Sequence, residues 1–156
     1  MILNEKINIL YKMRFMENEG DNIEVFEDIL NELSLEGTND IIPDLCKIFE
    51  DEVAEPSADD YLIETIFYIA KRNNLEEGLH KLALGIPNML PHAEFWAERI
   101  HRTLLISKDL LISYSNILNK LESSNKQAIK GILLLIKDDD PDLYLENSNL
   151  LLKKLS

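Results

Sequence analysis

Apolar residues recur along this chain at intervals of three and four, and strand-like alternation is scarce. A period of 3.6 therefore governs the chain and divides it into about nine amphipathic helices. The first spans Asn4 to Met16, with Leu3, Ile7, Leu10 and Tyr11 on one stripe. The second spans Asn22 to Leu35, with Ile23, Phe26, Leu30 and Leu33 inward and Gly37 placed to end it. A third starts near Thr38 or Asn39, tolerates Pro43 in its first turn and buries Ile41, Leu45, Ile48 and Phe49. The fourth begins at Ser57, where Ser57-Ala58-Asp59-Asp60 supplies an N-cap and an acidic first turn. Its stripe is Leu62, Ile66, Phe67, Ile69 and Ala70.

The fifth helix runs from about Leu75 to Ile86 and is stopped by Pro87; the sixth follows Pro91 and reaches about Leu105. The seventh is capped by Ser107 and shows Leu110, Tyr114, Ile117, Leu118 and Leu121. The eighth follows the capping box Ser124-Asn125-Lys126-Gln127, with Ala128, Ile132, Leu133 and Ile136 inward. The ninth opens at Asp140-Pro141 and runs through Leu143, Leu151 and Leu155. Short connections predict antiparallel neighbours. Leu45 to Lys71 and Ile132 to Leu155 look alike: an apolar helix end, an acidic turn with a proline, then a second amphipathic helix. The later copy resembles a HEAT repeat. The expected fold is all-α, a single domain over residues 1–156 built as an irregular, HEAT-like stack of helix pairs.

Charge changes the picture of partners. The 29 acidic and 16 basic side chains give a formal net charge of -13. Such a field repels nucleic acid and anionic membranes and attracts a basic protein. The lone cysteine, Cys46, sits among Leu45, Ile48 and Phe49 and reads as a buried thiol. The N-terminal MILNEKINILYK has charges within its first dozen residues and no apolar core of signal length, so the cytoplasm is the expected compartment.

Two Glu-x-x-His pairs, Glu77/His80 and Glu98/His101, have the spacing that builds di-iron carboxylate sites. Such a site needs both pairs to face inward. The sixth helix has Ala93, Trp96, Ala97, Ile100 and Leu104 as its stripe, which puts Glu98 and His101 at its edge or beyond. Glu77 lies opposite the stripe of the fifth helix. No cofactor or metal is therefore expected, and a metal-binding helical enzyme is the alternative reading. A HEAT-like scaffold with some other partner is a second alternative. Phosphate-binding glycine loops and a G-x-S-x-G elbow are absent.

From Phe49 to Glu64 the chain carries Glu50, Asp51, Glu52, Glu55, Asp59, Asp60 and Glu64 without a lysine or arginine. Surfaces usually mix signs, so such a run suits the rim of an interface that captures a basic partner. Tyr61 and Phe95 are the aromatic anchors expected beside it. The segment LCKIFEDEVAEPSADDYLIETIF, followed by Ala93-Glu94-Phe95-Trp96-Ala97-Glu98-Arg99 and a HEAT-like end, resembles immunity proteins of bacterial polymorphic-toxin or contact-dependent inhibition systems. It is most similar to the group numbered thirty, through the Phe49-Glu50-Asp51 turn and the Trp96-Ala97-Glu98-Arg99 helix start. That resemblance implies a protein that is not an enzyme. It would neutralise a cognate toxin domain, often a basic nuclease, by stoichiometric binding, as a free monomer or 1:1 with the toxin.

Overall fold

A computed structural model describes residues 2–156, and among them the regular structure is helical. Nine α-helices occur among the described residues. They are α1 Leu3–Lys12, α2 Ile23–Glu36, α3 Ile42–Leu45, α4 Pro56–Asn73, α5 Leu75–Gly85, α6 Glu94–Ile106, α7 Lys108–Leu118, α8 Ser123–Asp139 and α9 Pro141–Lys154. Short 3-10 turns at Asn39–Ile41, Cys46–Ile48 and Ile86–Met89 join some of them.

The helices form where the 3.6 period places them, and several ends differ. Asn22 caps α2 by accepting the Glu24 N–H at 2.7 Å. Gly37 ends α2 with an extended backbone, not a left-handed one. Its glycine is required by space, because an added Cβ would lie 2.7 Å from the Leu33 carbonyl oxygen. Arg72 then donates to the Ser34 and Gly37 carbonyls, supplying donors to the open C-terminal end of α2. The third helix is a single α-turn between two 3-10 turns; Ile41, Ile42, Leu45, Cys46, Ile48 and Phe49 are all buried, so packing sustains a segment too short to be stable alone. The fourth begins at Pro56, one residue before Ser57, and no side chain caps it. The eighth starts at Ser123 without a side-chain cap, and Asn125 points inward to donate to the Ala83 carbonyl. Tyr11 and Leu143 lie outside the core, at 42% and 58% exposure. The Arg14 guanidinium covers the Tyr11 ring at 3.9 Å.

One connected core runs from Ile7 to Leu155. Successive contacts arrange the chain in two layers. In one, α5 packs on α7 and α7 on α9; in the other, α2 packs on α4 and α6 on α8. Helix α4 also packs closely on α5, and α6 on α7, but α4 and α6 barely meet. The second layer is thus split between α4 and α6.

Helices α4 and α5 approach each other closely at Gly78. A Cβ on Gly78 would collide with Ala70, reaching its Cα at 2.7 Å and the Asn39 Oδ1 at 2.8 Å. Backbone, unlike a long side chain, has little room to yield. Gly78→Ala is predicted to destabilise the protein by about 1–3 kcal/mol despite the better helix propensity of alanine. A urea midpoint equal to or above that of the wild type would show that the two helices are not so close.

Candidate protein-binding face

The split between α4 and α6 is bridged by the turn from Phe49 to Glu55, and Glu50 is its joint. The Glu50 N–H donates to Asp59 Oδ2 of α4 at 3.1 Å. Its carbonyl accepts the Trp96 indole N–H of α6 at 3.0 Å. Its carboxylate accepts from Arg14 Nε at 3.1 Å. Asp51 continues the bridge: its N–H donates to the His92 carbonyl at 3.0 Å, and its carboxylate accepts the Phe95 N–H at 3.3 Å in the first turn of α6. Trp96 is buried against Phe49, with ring centroids 6.4 Å apart. The two short motifs singled out in the sequence therefore meet in space.

Asp59 lies wholly inside. Burial raises its carboxyl pKa to about 8; the Glu50 N–H bond acts the other way, while the charges of Glu50, Asp60 and Asp51 push it further up. Asp59 Oδ1 has no hydrogen-bond partner among the described residues. Protonation relieves a buried charge that would otherwise stand half satisfied.

Above this joint, the outer side of α4 is a concave strip. Between α4 and α6 runs a groove of about 600 Å³, floored by Ile63, Phe67 and Leu110 and walled by Glu64, Tyr68 and Arg99. It continues through Asp60 and Arg99 into a recess of about 290 Å³ beside Asp51, Phe95 and Trp96. On the other flank, between α2 and α4, lies a smaller hollow that includes Glu27, Tyr61, Glu64 and Tyr68. Tyr61, Tyr68 and Phe95 are exposed at 41%, 50% and 54%. The Phe95 ring stands edge-on to Trp96 at 5.0 Å, so an exposed aromatic is held in place before any partner arrives.

The expected site residues divide accordingly. Asp51, Glu52, Glu55, Tyr61, Glu64 and Phe95 are exposed, and Asp60 is half-buried. Glu50 and Asp59 are buried and hold the turn, so they cannot form part of an exposed rim. Nor is the stretch without basic relief: Arg14 reaches Glu50 and Arg99 reaches Asp60 at 2.9 Å, both from more than thirty residues away. Sequence reasoning missed Tyr68 and Glu27. Tyr68 follows Tyr61 by seven and Glu64 by four, a helical spacing that could have placed all three on one face.

The second Glu-x-x-His pair is divided between inside and outside. Glu98 is half-buried, while His101 is buried at the heart of the α6–α7 contact. The expectation that His101 lies at the edge is therefore corrected: it follows Ala97 by four and precedes Leu104 by three, within the core stripe. His101 Nδ1 lies 2.7 Å from the Ala97 carbonyl, so it carries the proton; Nε2, 2.9 Å from the Tyr114 hydroxyl, then accepts. Both ring nitrogens are engaged, leaving no lone pair for a metal. Burial lowers the His101 pKa to about 4, opposed by the Ala97 bond, and raises that of Tyr114. Cys46 is buried, with its pKa pushed up to about 12 by burial and by Asp44, which leaves it a poor nucleophile.

A family model described as Immunity protein 30 matches residues 12–114, about two-thirds of the chain. The matched span includes both the Glu50 turn and the start of α6. No curated protein and no solved structure matches the chain.

Trp96→Ala removes a buried ring and the indole donor to Glu50, and should cost about 3–5 kcal/mol of stability. A thermal midpoint near the wild type would mean that the ring is not part of the core. Asp59 sets a pH dependence. With a folded pKa of about 8 against an ordinary 3.8, the folded chain holds a proton that the unfolded chain releases, so this group's effect is to lower stability as pH rises between those values. His101 acts in the opposite sense below its ordinary 6.5, where unfolding takes up a proton. Asp59→Asn keeps an acceptor for Glu50 and cannot ionise. It should melt higher than the wild type near pH 8, with the gap narrowing steadily as pH falls and closing only near about pH 4. A gap that is constant or reversed across that range would refute the buried acid.

Proposed function

Since the chain belongs to the immunity protein 30 family, we propose that it neutralises a cognate toxin domain by stoichiometric binding, without catalysis of its own. The observation that carries this reading is the α4 strip: exposed aromatics beside a groove, with Glu52, Glu55 and Glu64 exposed and free of ion pairs among the described residues. Aromatics anchored in concave surroundings are the usual source of binding energy, and unpaired rim charge speeds encounter.

The acidic surface points to a basic partner. A toxin that cleaves nucleic acid must present cationic groups to phosphates, and a carboxylate-rich face competes for the same groups. A nuclease domain is therefore the toxin class that fits best. No described helix is long and apolar enough to cross a membrane. The proposed setting is the cytoplasm, with one immunity protein per toxin domain and no cofactor. The fold supports binding rather than chemistry, because the buried titratable groups His101, Tyr114 and Cys46 serve the core. The two-layer packing of helix pairs supports a HEAT-like description, with the gap between α4 and α6 as the departure from an even stack.

The test uses a candidate toxin domain sought in the gene adjacent to this one. Co-expression should protect cells from that domain, and the purified pair should elute as a 1:1 complex. Glu52→Gln combined with Glu55→Gln should leave the melting temperature unchanged and slow association several-fold at low salt. The difference should shrink toward physiological strength, where screening acts over about 8 Å. Phe95→Ala should act on dissociation instead. Absence of any complex with the neighbouring toxin would refute the function, and normal kinetics for all these variants would move the interface elsewhere.

A further inference from the structure

Two helix faces meet in register along one flank of the strip. Glu27, Leu30, Asn31 and Ser34 of α2 follow the spacing 0, 3, 4, 7; so do Tyr61, Glu64, Thr65 and Tyr68 of α4. All eight line the same hollow of about 260 Å³. Its floor is formed by Leu30 and Thr65, at 1% and 8% exposure, and its rim by polar and aromatic groups. We propose that this hollow is a socket for one arginine side chain of the protein partner.

The hollow is smaller than the range of about 300–1,000 Å³ usual for small-molecule sites, and it suits one inserted side chain better than a helix or a nucleotide. Its charge fits a cation. Glu27 and Glu64 stand on opposite walls, and neither has a lysine or arginine within ion-pair distance among the described residues. No basic residue lines the hollow. Arg72, which bonds the Ser34 carbonyl nearby, is committed to the end of α2.

The chemistry of the walls selects arginine over lysine. Two tyrosine rings, half or nearly half exposed, offer flat surfaces on which a guanidinium stacks, and paired carboxylates meet its fork of N–H donors. The Glu27 carboxylate beside the Tyr61 hydroxyl raises that hydroxyl's pKa, through a hydrogen bond first and charge second. Tyr61 thus stays neutral beside Glu27. An ammonium group would gain the charge but lose the stacking and the bidentate contact.

The source of the arginine rests on the toxin-binding reading, whereas the socket's chemistry does not, so the two can fail separately. The experiment titrates the isotopically labelled whole protein with N-acetyl-arginine amide and, in parallel, N-acetyl-lysine amide, and follows backbone NMR shifts. Saturable shifts confined to the α2–α4 seam are expected around Asn31, Tyr61, Glu64 and Tyr68. The arginine compound should bind at least about threefold more tightly. Glu64→Gln, nearly isosteric and exposed, should weaken that binding about threefold or more, and Tyr68→Ala should remove the preference over lysine. Shifts scattered over all acidic surfaces, equal responses to the two amides, or an unaltered response in Glu64→Gln would each overturn the socket. Loss of the socket with cell protection intact leaves the immunity reading standing; a working socket in a chain that binds no toxin refutes that reading alone.

Discussion

The structure turns on the backbone of one residue. Glu50 gives its N–H to Asp59 in α4 and its carbonyl to Trp96 in α6, and its side chain draws in Arg14 from the segment after α1. These bonds cross the place where the helices of the second layer barely meet. Without the turn, few contacts among the described residues tie α4 to α6 on that side. The exposed Arg99–Asp60 pair spans the same gap, but surface pairs of this kind contribute about 0–1 kcal/mol. The buried indole, with its satisfied N–H, stabilises the junction more.

Holding two helices apart creates a surface that close packing would erase. Ile63, Phe67 and Leu110 line the floor of the groove between them while remaining buried in the core themselves. Around it remain the exposed aromatics Tyr68 and Phe95 and the unpaired acid Glu64, on which the proposed binding reading rests. The arrangement has a cost. Asp59 is buried among like charges, and its pKa of about 8 means that it holds its proton near neutrality. A neutral side chain of the same shape would serve the Glu50 N–H at less expense of stability. The acid's position beneath the strip places a local weakness under the surface proposed to bind.

The acidic run from Phe49 to Glu64 shows how one sequence feature can hold two kinds of residue. Glu50 and Asp59 read as surface charge because acids are rarely buried, and the chain within that run supplies no cation to pair with them. In the fold, Glu50 finds Arg14 and Asp59 finds a backbone donor, so both go inside. Glu52, Glu55 and Glu64 find none and stay out. His101 is the converse case. Its place relative to the Ala93–Trp96–Ala97–Ile100–Leu104 stripe suggested an edge, yet the Ala97 carbonyl and the Tyr114 hydroxyl satisfy both nitrogens within the core.

The sequence by itself determined that the chain is all-helical, where most helices lie, and which apolar stripes enter the core, because a stripe depends only on neighbours three and four residues away. It also carried the family, whose model matches residues 12–114. Tertiary structure alone decided the fate of the polar groups. Arg14 with Glu50, Asp60 with Arg99, and Trp96 with Glu50 are 36, 39 and 46 residues apart. Whether a charge faces water or a partner depends on which distant segment the fold brings beside it, and no local period encodes that. The groove is decided in the same way, since it arises where α4 and α6 barely meet.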